Sequence, residues 1–179
     1  MKKAVVFGLA LVVPVLVYLF MQGFGDNKYA LPVLYMESVP AIEGCPTPDA
    51  PYALSLDDIY TASSLNERKN VLFDVRRSNA DTVYIKNELQ RVINYFGDQP
   101  YHHAIVDLKQ EPILRIDGYQ KVLSKSFVEC ILRSTDNNSF LALVDARGRI
   151  RSYYESDQRS EFDRLITETE ILLTFESNE

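Results

Sequence analysis

The sequence predicts an α/β domain, a central sheet flanked by helices, preceded by one N-terminal transmembrane helix. Three observations predict it. Residues 4–25 form an uncharged run behind Lys2 and Lys3. Two β-rich apolar runs, residues 70–75 and 103–108, bracket one amphipathic helix. A strand–glycine turn–strand unit at residues 140–154 leads into a final amphipathic helix.

The first run is interrupted only by the neutral Gln22. At about 1.5 Å rise per residue it is long enough to cross a hydrocarbon core of roughly 30 Å. Large residues (Tyr18, Leu19, Phe20, Met21) stand where a signal peptidase needs small ones, so the helix reads as a retained anchor. Lys2 and Lys3 on the short side keep that end in the cytoplasm and put the rest of the chain outside. Pro14 is tolerated in such a helix, and the run has no polar face with which to join a soluble core.

Residues 26–52 carry Pro32, Pro40, Pro46, Pro48 and Pro51 and read as an extended extracytoplasmic arm, with residues 31–36 able to form a short strand. Residues 53–179 read as the folded domain. The apolar run at 70–75 suits a buried strand. Ser78 or Asn79 can cap the helix that follows, with Asp81 in its first turn. Ile85, Leu89, Val92 and Phe96 recur along one face, and Gly97 closes the helix. Residues 103–108 give a second strand at a crossover distance.

A mixed region then contains a helix at about 124–132. Residues 140–144 are a third strand, Ala146 to Arg149 a hairpin turn with Gly148 at the left-handed position, and residues 150–154 the returning strand. A last helix at about 158–173 presents Phe162, Leu165, Ile166, Thr169, Leu172 and Leu173. The order β-α-β-α-β-β-α is that of a thioredoxin-like domain.

The chain has 179 residues, 46% of them hydrophobic, enough for one compact core and against wholesale disorder. Its net charge of −6 gives no pull toward nucleic acid, which is excluded as a partner. Two cysteines, Cys45 and Cys130, form no Cys-x-x-Cys pair and cannot build a zinc ribbon. In an oxidising compartment they can form one structural disulfide pinning the arm to the domain; two unpaired thiols are the alternative. His102 and His103 lie on opposite faces of a strand and cannot readily chelate one metal. Arg76, Arg77 and Ser78 stand where a strand hands over to a helix N-terminus, an interaction or anion-binding loop on one reading and a solvated capping loop on the other. Asp57, Asp58, Glu161 and Asp163 form no acid/base dyad, and Tyr153 and Tyr154 alternate faces as packing residues.

The segment from Leu143 to Tyr154, LVDARGRIRSYY, resembles the hairpin of bacterial Sco/SenC proteins, close to LVD-x-x-G-x-IRGYY in that family. The order of elements from Tyr52 to Leu173 is similar as well. The resemblance implies a thioredoxin-like fold, a membrane anchor, a periplasmic domain at the bacterial inner membrane and a place near cytochrome c oxidase assembly. The family's copper and dithiol chemistry uses CxxxC after the first core strand and a histidine before the third. Here those places hold Asp74 to Asp81 and Asp136 to Asn138, without cysteine or histidine. No catalytic residue, metal site or cofactor is therefore carried over. The expectation is a non-catalytic domain contacting membrane lipid through residues 4–25 and other membrane or periplasmic proteins through its fold. A copper-binding chaperone or thiol-disulfide oxidoreductase using Cys45 and Cys130 is the competing expectation.

Overall fold

A computed structural model describes residues 12–18, 31–55, 69–78, 80–97, 101–109, 112–116, 118–124, 126–135 and 137–176. The chain divides into two compact units, Met1–Ala30 and Leu31–Glu179. In the first, residues 12–18 are helical, and Val12, Val13, Val15, Leu16, Val17 and Tyr18 are all exposed. The rest of the expected anchor lies outside the described residues. Among the described residues no helix is long and apolar enough to cross a membrane.

The second unit is α/β. Its elements are β1 (Val71–Arg76), α1 (Thr82–Phe96), β2 (His102–Asp107), β3 (Ile113–Ile116), β4 (Tyr119–Val122), a π-helical turn (Phe127–Ile131), β5 (Phe140–Val144), β6 (Ile150–Glu155) and α2 (Arg159–Glu176). The sheet runs β4-β3-β2-β1-β5-β6. Among the described residues, β1 and β2 pair in parallel and the other pairings are antiparallel. The parallel pair with its α1 crossover, followed by the β5–β6 hairpin and a terminal helix, is consistent with a thioredoxin-like fold.

Alternation along the central strands sorts the core into two layers. Leu72, Leu141, Leu143 and Tyr154 meet Ile85, Leu89 and Val92 of α1 and Phe162, Leu165 and Leu172 of α2. Val71, Phe73, Val75, Ala104, Val106, Ala142 and Val144 face the other way, where no long helix lies among the described residues. That layer is closed by Val128 and Leu132 around the π-helical turn and by Tyr52 and Leu54 of the arm.

The arm expected over residues 26–52 is described from Leu31 onward, and that part belongs to the compact unit. Leu34 N donates to Ile150 O (2.9 Å), Tyr52 N to Tyr35 O (3.1 Å) and Leu54 N to Gly148 O (2.7 Å). Residues 31–36 hold a turn at 34–35 and no strand, where a short strand was expected. Asp145 anchors the neighbouring hairpin. Its buried carboxylate accepts Arg147 N and Arg149 N (2.9 Å each), Arg149 Nε (2.6 Å) and Arg151 Nη1 (3.1 Å). Arg151 in turn donates to Leu31 O (2.9 Å), so the residues that carry the Sco/SenC resemblance hold the hairpin to the arm.

Three expectations are corrected. The cap of α1 is Asp81, whose carboxylate accepts Val83 N and Tyr84 N (3.1 and 3.0 Å), three residues after Ser78 and two after Asn79. The helix expected at 124–132 shrinks to the π-helical turn, and the mixed region before it holds the β3–β4 hairpin. Leu173, expected on the apolar face of the last helix, is exposed.

Gly148 has φ +83°, and a Cβ there would lie 2.1 Å from Leu54 O. Gly148→Ala therefore meets both a left-handed backbone and a backbone clash with the arm. It is expected to lower stability by more than about 2 kcal/mol. Urea midpoints at unchanged m-value check this; a loss under about 0.5 kcal/mol would mean the arm is not packed on the hairpin.

Candidate functional site

The first polar break in the core falls at the C-terminal end of β1. Asp74 is fully buried on the face that packs under α1. Its Oδ2 accepts Nε and Nη2 of Arg76 (2.9 and 2.6 Å) and lies 3.3 Å from Nε2 of His103 on the neighbouring strand. A carboxylate in such a place survives only if it is paired. Burial pushes the Asp74 carboxyl up, but hydrogen bonds from His103 and Arg76 outweigh it and leave the group below its ordinary value of 3.8. It is thus an anion that fixes two side chains, each only partly withdrawn from solvent.

Those two side chains open into a trough of about 640 Å³ between the strands and α1. Arg76, His103 and Ile105 line it from the sheet; Val83, Lys86 and Gln90 line it from the helix. The trough exists because the sheet extends two strands beyond β2. By strand register, Arg115 and Gln120 stand opposite Ile105 on this face, and Ile113 and Val122 stand opposite Asp107.

Of the loop residues singled out in the sequence, Arg76 faces the trough and is bound to Asp74. Arg77 turns elsewhere: its amide donates to Ser139 Oγ (3.0 Å) and its Nε to Asn138 O (3.3 Å). Ser78 is exposed, and Asn79 lies outside the described residues. Beyond this loop, the Asp81 carboxylate takes the Val83 and Tyr84 amides at the start of α1. The Arg77 contacts do bring together the two segments where the resemblance places CxxxC and histidine.

Cys45 and Cys130 are joined by a disulfide (S–S 2.06 Å, Cα–Cα 5.2 Å) across 85 residues. It ties the arm to the π-helical turn, whose end leaves carbonyls without helical donors. Tyr52 OH donates to Ile131 O (2.8 Å), Tyr153 OH to Leu132 O (2.5 Å) and Tyr35 OH to Arg133 O (3.4 Å). Buried Arg133, at φ +54°, donates to Pro40 O, Pro46 O and Cys130 O and lies over the Tyr52 ring. This latch is built from residues that no spacing marks as a set.

Of the remaining candidates, those that are described make contacts within the fold. His103 belongs to the Asp74 cluster, whereas the His102 amide bonds Asn70 O (2.8 Å). Asp163 pairs with Arg91 (2.8 Å), joining the two helices, and Glu161 pairs with Arg164 (3.0 Å). Asp57 and Asp58 lie outside the described residues. Tyr154 is buried with its hydroxyl on Glu168 (2.5 Å); burial and that contact push its pKa up. Among the described residues no group of three or more His, Cys, Asp or Glu is placed to hold a metal ion.

No protein-family model matches the chain, and no curated protein matches it. Among solved structures, that of BsSco, a member of the Sco family of cytochrome c oxidase assembly proteins in which a disulfide switch was identified, is similar over 63% of this chain and 84% of its own. The identity is 11% and the TM-score 0.36.

Asp74 gives a pH signature. A carboxylate held below its ordinary range contributes stability that is present above about pH 4 and is lost as pH falls through the folded pKa. Asp74→Asn leaves Arg76 and His103 without their anion and is expected to cost about 2–4 kcal/mol at pH 7. Denaturant midpoints measured from pH 7 to pH 2 check it: wild type and variant converge on acidification. A constant gap would mean that Asp74 contributes by packing alone.

Proposed function

We propose that this chain is a membrane-tethered, Sco-like domain with a protein-interaction or assembly role and no thiol or copper chemistry of its own. Residues 4–25 are the single-pass anchor in the bacterial inner membrane, the N-terminus is cytoplasmic, and the domain stands in the periplasm near respiratory-chain components. The observation that carries the reading is the fate of the cysteines. Residues 74–81, where the resemblance puts CxxxC, hold neither of them, and the two are spent on each other in the bond between arm and π-helical turn. A disulfide also suits an oxidising compartment and supports the extracytoplasmic placement. The Sco/SenC reading rests on the hairpin residues, whose part in the fold is to seat the arm.

The test uses the full-length chain in its own membranes. It is expected to stay in the membrane pellet after alkaline carbonate and to lose its C-terminal domain to protease applied from the periplasmic face. Purified in detergent, it is expected to take no stoichiometric Cu(I) in competition with a chromophoric chelator and to leave insulin reduction at its background rate. Release by carbonate would contradict the anchor. One retained equivalent of Cu(I), or insulin reduction abolished by Cys45→Ser, would contradict the non-catalytic role.

A further inference from the structure

We infer that the trough between α1 and strands β2–β4 seats an acidic amphipathic helix of a partner protein. The inference rests on the interaction role proposed above and names the surface and the chemistry of its partner. Among the described residues, helix packing on this face lies over one half of the sheet. The buried side chains of α1 and α2 sit with Leu72, Leu141, Leu143 and Tyr154, that is, over β1, β5 and β6. Beyond them β2, β3 and β4 present a bare surface among the described residues. Strands lie about 4.8 Å apart, so the span from β2 to β4 is about 10 Å, the diameter of a helix with its side chains.

The surface is also chemically biased. Its floor, by strand register, carries apolar Ile105, Ile113 and Val122 with Arg115, Gln120 and one acid, Asp107, whose Oδ1 accepts Lys109 N; Val122 is 61% exposed. Its wall offers Val83, 69% exposed, beside Lys86. Arg76 and His103, both fixed by Asp74, close the deep end. With Arg76 paired to Asp74, the strip's own charges are Lys86 and Arg115 against Asp107, a cationic bias of one on a chain whose net charge is −6. A helix with one apolar stripe and carboxylates along its flanks matches it: the stripe covers Ile105, Ile113 and Val122, and the acids meet Lys86 and Arg115. A second copy does not supply that helix from the described residues, because the apolar sides of both α1 and α2 are already buried and residues 12–18 carry no acid.

The experiment uses full-length protein in detergent and two labelled probes: a designed amphipathic helix with a glutamate polar face and its lysine counterpart. The acidic probe is expected to bind at least about tenfold tighter. Lys86→Glu/Arg115→Glu is expected to invert that preference, and Val122→Asp to weaken the acidic probe with the melting temperature unchanged. Binding of the acidic probe that survives both variants would overturn the inference. So would self-association of wild type that the charge reversal abolishes, because the occupant would then be a second copy. Cross-linking in intact membranes separates this inference from the broader reading. Partner adducts that persist in the double variant leave the interaction role standing and remove the trough. Wild type without any adduct removes both.

Discussion

The arm needs partners for its backbone polar groups, and the second face of the sheet depends on how those partners are supplied. Pro32, Pro40, Pro46, Pro48 and Pro51 remove amide donors from residues 31–55 and keep the segment from pairing as a strand. Yet Leu31, Tyr52 and Leu54 are buried. The carbonyls are met by arginines: Arg151 takes Leu31 O while held by Asp145, and Arg133 takes Pro40 O and Pro46 O. Of its amides, those of Leu34, Cys45, Tyr52 and Leu54 reach the carbonyls of Ile150, Ile42, Tyr35 and Gly148. The disulfide then restrains the same segment in the unfolded state as well, over an 85-residue separation.

This division of labour explains where chemistry has room and where it does not. On the arm side, the cysteines, the tyrosine hydroxyls and Arg133 are all committed to holding irregular backbone. On the helix side, the single buried carboxylate of β1 fixes Arg76 and His103 at one end of a trough. A surface with a fixed guanidinium and exposed aliphatic side chains suits recognition.

Regular, periodic parts of the fold were legible in the sequence. The α1 face through Ile85, Leu89 and Val92, the left-handed Gly97 and Gly148, and the β5–β6 hairpin all follow from period and turn chemistry. The β3–β4 hairpin was not, because each strand has only four residues and polar Arg115, Gln120 and Lys121 break any apolar run. Asp81 displaced Ser78 and Asn79 as the cap because the helix starts further along the chain, a matter of backbone path that composition does not encode. The arm read as an extended segment because its buried residues are isolated and without period, and irregular packing leaves no periodic trace. Of the site, Arg76 was visible as a loop cation. Its union with Asp74 and His103 depends on strand register, although a carboxylate inside the apolar run at 70–75 was the available signal.

The central claim is that the arm is part of the folded body and that the cysteines serve it. Native-state hydrogen exchange at the amides of Leu34, Tyr52 and Leu54, measured with the disulfide intact and after reduction, tests this most directly. The account predicts that with the bond intact these amides are protected to the same opening free energy as Phe73 and Ala142 in the core, and that reduction lowers it. Exchange at the rate of a free peptide, with the core amides still protected and the disulfide intact, would contradict it.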